Sequence, residues 1–256
     1  MTRGRVAVVG LGPGDAAWLA PEARERLARA TDLVGYGTYL RLVPESVSGA
    51  TRHEFDNRQE VDRARFALEL GAGGRDVVVV SSGDPGVFAM ATAVVEELHR
   101  ADDDRYGDVD VSIVPGITAA SAAAARVGAP LGHDFCCLSL SDVLKPWPVI
   151  EQRLVAVAAA DLVIALYNPI SKHRPWQLGR ALELIGEHRT ADTPVVQARD
   201  VGRQGEAVAV TTLGDVDTGV IDMRTILIVG SSTTQSFTDL RGRVWAYTPR
   251  TYPSEG

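Results

Sequence analysis

Short, unbroken apolar runs alternate with helical spacing through the first half of this chain. Val6–Gly10 and Asp76–Ser81 (DVVVVS) are apolar at nearly every position. Strand-length runs of that kind predict strands buried on both faces. Asp32–Gly35 and Val109–Val114 read as two more. Between them apolar residues return every three to four positions, over Glu22–Ala30, Glu60–Leu70, Val87–Arg100 and the alanine-rich Thr118–Arg126. Pro21 opens the first of these helices, where its missing N–H costs nothing. Strand and helix in alternation predict a mostly parallel sheet.

Gly128-Ala-Pro-Leu-Gly132 breaks the rhythm and is the expected domain boundary. Beyond it come a strand (Phe135–Leu140), a helix (Val149–Ala159), a strand (Asp161–Tyr167) and a helix (Trp176–His188). Val195–Arg199, Ala207–Thr212 and Thr225–Gly230 then follow with little helix between them, which predicts a mixed sheet with an antiparallel part. The expected organisation is therefore an N-terminal α/β domain over 1–127, a C-terminal α/β domain over 128–240, and a polar, loosely attached tail over 241–256.

Composition changes this picture little. The longest apolar run, Leu154 to Leu166, contains Asp161 and falls short of the roughly 20 residues of a membrane span. A net charge of −7 argues against wholesale nucleic-acid binding. The two cysteines, Cys136 and Cys137, are neighbours in a predicted strand and point to opposite faces. They suit neither a disulfide nor a metal site, and point to a reducing, cytoplasmic setting.

Ligands of open α/β sheets bind beyond the carboxyl ends of the strands. Four such ends are rich in Gly, Pro and small polar residues: G-L-G-P-G-D (10–15), S-S-G-D-P-G-V-F (81–88), P-G-I-T-A-A-S (115–121) and Y-N-P-I-S-K (167–172). Glycine there permits close backbone approach to a ligand. Each also has a plain reading: Gly10-x-Gly12 as a tight turn, Asp84 as a turn residue, Thr118 as a helix cap. The dinucleotide pattern G-x-G-x-x-G is not met, because position 15 is Asp15, and no Gly-Lys-Ser/Thr is present. Glycine-rich ends without phosphate signatures suit a nucleoside lacking phosphates.

Taken together and in this order, GxGPGD, SSGDPGVF and PGITA resemble the tetrapyrrole methylases over about residues 4 to 236. G-A-P-L-G-H-D-F (128–135), S-L-S-D-V-L-K-P-W (139–147), L-Y-N-P-I-S-K-H-R-P-W-Q-L (166–178) and the 193–206 segment resemble the ring-contracting branch of that family. Lys145, Asp200 and Ser231 depart from its pattern. The resemblance implies two α/β domains with S-adenosylmethionine in the cleft between them, a homodimer, a tetrapyrrole substrate, and no metal. It implies cofactor contacts at Gly12, Pro13, Gly83, Asp84, Val87, Thr118 and Ala119, and in the second domain at Tyr167, Ala198, Thr225 and Ile226.

A tetrapyrrole of this kind carries several carboxylates, so a net-acidic enzyme must concentrate positive charge where it binds. Lys172, His173 and Arg174 follow a strand end, and Arg199 and Arg203 flank another loop. A basic residue at a helix start opposes the helix dipole, so a purely structural reason for the triplet is weak. Asn168 joins these as a substrate contact, and Tyr36 and Tyr39 either stack on the macrocycle or merely pack. Arg58 and Arg63 read as solvated. Ring contraction implies a general base for a ring hydroxyl. His53, His173 and Asp142 are the candidates, with His133 read as structural. A sister methylase acting at another ring carbon and a non-catalytic nucleoside-binding subunit remain as alternatives.

Overall fold

The computed structural model describes residues 4–43, 47, 49–56, 58–101 and 103–252. The chain divides into two compact units, Met1–Ala119 and Ala120–Gly256. The division falls at the start of a helix that the sequence pattern assigns to the first domain.

The first unit contains β1 (Arg5–Gly10), α1 (Pro21–Arg29), β2 (Asp32–Tyr36), α2 (Gly37–Leu40), β3 (Thr51–Phe55), α3 (Glu60–Ala72), β4 (Asp76–Ser81), α4 (Met90–Arg100) and β5 (Asp110–Val114). Its sheet has the order β3-β2-β4-β1-β5, and every pairing is parallel. Side chains alternate across a strand, which explains the unbroken apolar runs. Val6, Val8, Val77 and Val79 pack toward α3 and α4 with Leu68 and Val94. Ala7, Val9, Val78 and Val80 pack on the opposite face with Leu27 of α1 and Leu33.

β3 carries no apolar run because it is an edge strand, mostly exposed along T-R-H-E-F. α4 begins three residues later than its periodicity suggests. Phe88 holds a left-handed φ of 53° and Ala89 is extended, so the helix cannot start before Met90.

The second unit opens with α5 (Ala119–Val127) and the two-residue strand β6 (Gly128–Ala129). Then come β7 (Phe135–Ser139), α6 (Trp147–Ala159), β8 (Val163–Tyr167), α7 (Gln177–Gly186), β9 (Pro194–Arg199), β10 (Ala207–Thr212), β11 (Thr225–Val229), β12 (Gln235–Thr238) and β13 (Val244–Tyr247). The main sheet runs β10-β9-β11-β8-β7. Only β7 and β8 are parallel, so the sheet is mixed as the spacing predicts. Leu154, Leu166, Leu178, Ile185 and Leu227 are among the fully buried side chains between this sheet and α6 and α7.

The segment from Arg241 is not loosely attached. β13 pairs with β12 and, in parallel, with β6. Thr248 Oγ1 donates to the Pro130 carbonyl at 2.6 Å, and Tyr252 Oη donates to Asp161 Oδ2 at 3.1 Å. The strand is only four residues, Val-Trp-Ala-Tyr, too short for an alternating pattern to stand out. Among the described residues no helix is long and apolar enough to cross a membrane.

Candidate functional site

In the first unit the carboxyl ends of the adjacent strands β4, β1 and β5 bring three glycine-rich loops to one edge. Gly12 and Gly83 form a two-bond bridge: Gly12 N donates to Gly83 O at 3.1 Å, and Gly83 N to Gly12 O at 2.8 Å. Both have left-handed φ, 67° and 68°, which L side chains rarely adopt. A Cβ on Gly10 would lie 2.7 Å from Gly116 N and 2.7 Å from Gly83 O, so the three loops meet backbone to backbone. Asp84 fastens them, since Oδ1 accepts from Gly86 N at 2.8 Å and Oδ2 from Gly116 N at 3.0 Å. Pro13, Val87, Thr118 and Ala119 lie on these same loops. Phe88 and Ile117 stand exposed beside them. An open recess of about 370 Å³ lies between Ala17–Ala20 of the first loop and Pro115–Ile117 of the third. At the end of β2, Tyr36 and Tyr39 meet edge to face, 5.3 Å between centroids.

His53 belongs elsewhere. Its Nε2 lies 2.9 Å from Asp32 Oδ1, at the amino end of β2, and its ring packs on Phe66. Asp32 is buried and also accepts from Arg75 Nε at 2.7 Å and Thr31 Oγ1 at 2.7 Å. Burial alone pushes its pKa up, but the Arg75, His53 and Thr31 donors together outweigh that and hold the carboxyl at about 2. A free aspartate titrates at about 3.9. The stabilisation is therefore full above about pH 4 and is lost as pH falls toward 2, and is worth about 2 kcal/mol. Thermal melts from pH 5 to pH 2 are expected to show this acid loss in the wild type and not in Asp32→Asn. Parallel pH slopes for the two proteins would refute it.

Arg63 is a correction. It is not solvated but 2% exposed, donating to Asp56 O at 2.8 Å and to Met90 Sδ at 3.1 Å, with Nε unpaired among the described residues. It ties the entry of α3 to the start of α4. Arg58 is exposed, as expected.

In the second unit Tyr167, Ala198, Thr225 and Ile226 gather at one edge of the mixed sheet. Ala198 is in register with Ile226, and Arg199 with Thr225. Tyr167 Oη accepts from Ala120 N at 3.0 Å. Asn168 turns the chain with a left-handed φ of 53° and donates from Nδ2 to Ser139 Oγ at 3.0 Å.

The basic triplet splits. Ser171 and Arg174 exchange backbone hydrogen bonds of 3.2 and 3.0 Å, leaving Lys172 and His173 exposed at the tip of a tight turn. Arg174 turns inward, donating to the carbonyls of Leu140 at 3.2 Å and Asn168 at 2.9 Å and to Met223 Sδ at 3.3 Å. Burial lowers its pKa, and the charge of Asp142 offsets this in part. Its role in the structure is to cap carbonyls at the strand ends.

Arg199 is also engaged, with Asp222 at 3.0 Å and Asp200 at 3.1 Å, while Arg224 pairs with the same two carboxylates at 3.2 Å each. Asp200 has a φ of 50°, a conformation that aspartate and asparagine share. The substitution seen in the sequence therefore keeps the turn and adds a charge for two guanidinium groups. Arg203 is half-buried, its N–H on Asp200 O at 2.9 Å. Glu206 of the G-R-Q-G-E segment holds Arg126 through two bonds, 2.6 and 3.0 Å. His133 Nδ1 accepts from Asp134 N and its ring packs on Tyr252, a structural role. Lys145 is half-buried, and Ser231 is buried in a cluster with Thr233 and Thr234.

Asp142 lies just past the end of β7, its Oδ2 accepting from Gln177 Nε2 at 3.0 Å. Gln177 was not singled out from the sequence. The signal was present: Gln177, Ala181, Leu184 and Ile185 share the core-facing side of α7, so an amide there is out of place.

The sequence model described as Tetrapyrrole (Corrin/Porphyrin) Methylases matches residues 5–217. The chain belongs to this family. A Mycobacterium tuberculosis protein named cobalamin biosynthesis protein CobIJ is 53% identical over 258 aligned residues. The alignment takes in 99% of this chain and 49% of that protein, so the chain spans about half the length of this relative. A Sinorhizobium precorrin-3B C(17)-methyltransferase is 48% identical, with 97% of each chain covered. The crystal structure of the methyltransferase CobJ superposes with a TM-score of 0.88 at 47% identity, covering 96% of this chain and 100% of that chain.

Proposed function

We propose that this methylase transfers a methyl group from S-adenosylmethionine to carbon 17 of precorrin-3B, with contraction of the macrocycle to precorrin-4, in cobalamin biosynthesis. The observation that carries the reading is the meeting of three glycine-rich loops at one edge of the parallel sheet, in a chain whose full-length Sinorhizobium relative bears that activity in its name.

The residues at this edge fit S-adenosylmethionine. Gly12 and Gly83 leave the backbone bare, Phe88 and Ile117 offer apolar surface, and Asp84 supplies a fixed carboxylate. No P-loop lysine asks for phosphate. This suits a nucleoside with a cationic sulfur. We assign Gly12, Pro13, Gly83, Asp84, Val87, Thr118 and Ala119 to its binding, together with Tyr167, Ala198, Thr225 and Ile226 of the second unit. The bound donor supplies a methyl already activated on a sulfonium, so the protein's work is to place donor and acceptor, worth roughly 7–11 kcal/mol in favourable cases.

Lys172 and His173, exposed on their turn, are the proposed contacts for the substrate's carboxylates, with Asn168, Tyr36 and Tyr39 as further contacts. Arg174 supports that turn from within. We assign the protein to the cytoplasm as a homodimer. Burial pushes the Cys136 thiol up to about 11, with Cys137 adding to it, and a thiol held protonated suits a reducing compartment.

The test is anaerobic incubation of the chain with S-adenosylmethionine and precorrin-3B, followed by mass and carbon NMR. One added methyl at carbon 17 with a contracted ring is expected, and calorimetry is expected to give a cofactor affinity between roughly 1 μM and 1 mM. No detectable cofactor binding would sink the reading. A product methylated at another carbon would reassign it to a sister enzyme.

A further inference from the structure

Three polar side chains meet beside the ends of β7 and β8. Asp142 has one oxygen, Oδ2, clamped by Gln177. Gln177 is 2% exposed, and its Oε1 has no donor among the described residues. Arg174 lies close enough for its charge to act on Asp142, yet its hydrogen bonds among the described residues go to two carbonyls and a thioether, and no ion pair there joins the two.

For the fold alone this arrangement is unfavourable. A buried acceptor without a donor destabilises. A leucine at 177 would continue the apolar face made by Leu178, Ala181 and Ile185. The one hydrogen bond the amide makes among the described residues is with Asp142. That contact leaves Oδ1 without a protein donor among the described residues, on a side chain that is only half-buried.

The other carboxylates near this edge are used differently. Asp200 and Asp222 are taken by Arg199 and Arg224, and Glu206 by Arg126. His173 sits on an exposed turn tip, and His53 is committed to Asp32. The residues next to Asp142 and Gln177 in sequence suit the flat apolar face of a macrocycle. Val143 and Leu144 follow it and Trp176 precedes Gln177, with exposures of 69, 87 and 52%. Such apolar surface around a polar centre marks a binding face.

We propose that Asp142 accepts the proton that starts ring contraction, and that Gln177 is the residue that positions it. This rests on the carbon-17 methyltransferase reading. In the step, Asp142 Oδ1 takes the proton of the ring hydroxyl. The O–H electron pair becomes the second bond of a carbonyl. A ring carbon–carbon bond at that carbon shifts with its pair to the adjacent carbon, and an oxygen leaving group there departs with its own bonding pair. The step is an isomerisation and needs no oxidant or reductant.

The experiment compares the wild type, Asp142→Asn, Gln177→Leu and the double variant in anaerobic reactions with S-adenosylmethionine and precorrin-3B. Ring-contracted product is read by carbon NMR, and folding is checked by thermal melts. Asp142→Asn is expected to lose at least about 100-fold in rate, the scale of general-base catalysis. Gln177→Leu is expected to lose about tenfold in kcat with KM for the tetrapyrrole unchanged, and the double variant to be no slower than Asp142→Asn alone. Asp142→Glu, which keeps the carboxylate, is expected to recover part of the rate and stands in if the asparagine variant does not fold.

Contraction by Asp142→Asn at the wild-type rate overturns the assignment of the base. Multiplicative losses in the double variant overturn the positioning role, because Gln177 would then act on the fold independently of Asp142. A wild type that binds S-adenosylmethionine and yields no carbon-17 product overturns the functional reading itself, a result distinguishable from both.

Discussion

Gly10→Ala is expected to lower S-adenosylmethionine affinity by about tenfold or more, because about 1.4 kcal/mol of strain in the loops is worth a factor of ten in binding. The added methyl meets backbone on every side: Gly116 N and Gly83 O at 2.7 Å and Gly116 Cα at 2.8 Å. None of these atoms is the end of a flexible side chain. To make room the first loop must move away from the other two, and with it go the Gly12–Gly83 bridge and the Asp84 bond to Gly116. Overpacking of this kind costs about 1–3 kcal/mol, so the protein still folds while the site opens. Gly116 is under the same constraint, since its own Cβ would run into the Gly83 carbonyl. Gly49, with nothing within 4 Å of an added Cβ, is the control and its alanine variant is expected to bind normally. Calorimetric titration of both variants decides the matter. Wild-type affinity in Gly10→Ala would show that the loops do not need this contact.

Arg189→Ala is expected to give the largest loss of stability. Arg189 is buried after α7 and donates to the carbonyls of Ala158 at 2.7 Å, His188 at 3.0 Å, Leu162 at 3.2 Å and Gly230 at 3.2 Å. It also pairs with Asp161 at 3.2 Å. One guanidinium thus closes the end of α6, the turn into β8 and the end of β11. Removing one member of a buried pair costs roughly 3–5 kcal/mol, because its partners are left without donors. At about 2–4 °C per kcal/mol, the melting temperature falls by roughly 10 °C. Arg189→Lys keeps the charge but has three donors for five acceptors, so an intermediate loss is expected. An Arg189→Ala protein melting within about 3 °C of the wild type would show that the carbonyls find other donors.

The parts of the fold visible in the sequence are those where burial is two-sided. Val77–Val80 and Val6–Val9 serve two helical layers at once, so their apolar runs name the strands directly. The edge strands β3 and β12 and the short β6 bury little, and composition does not mark them. The glycine-rich ends were legible because glycine there answers a backbone constraint. The fate of the charged residues was not. Lys172, His173 and Arg174 are alike in sequence, and only the two-bond turn from Ser171 to Arg174 decides which face out and which turns in. Arg63 and Arg199 show the same limit, because a buried carbonyl or a carboxylate on a distant element takes the guanidinium. The His53–Asp32 pair has the look of a catalytic couple, yet Asp32 opens β2 and His53 sits mid-way along the edge strand β3, not at the carboxyl ends where the glycine-rich loops meet.

The bond from Thr248 to Pro130, across 118 positions, together with the pairing of β13 with β6, sets the order in which the chain is completed during synthesis. The first unit contains every strand of its own sheet by residue 114 and can close as soon as it leaves the ribosome. The second cannot, since its opening strand waits for a partner near the far end of the chain. At about 5–20 residues per second, the roughly 130 residues between those events delay closure by on the order of 10 s. During that interval the finished first unit is joined to a nascent, unsealed second one. That interval is when chaperones and proteases have their best access to this protein.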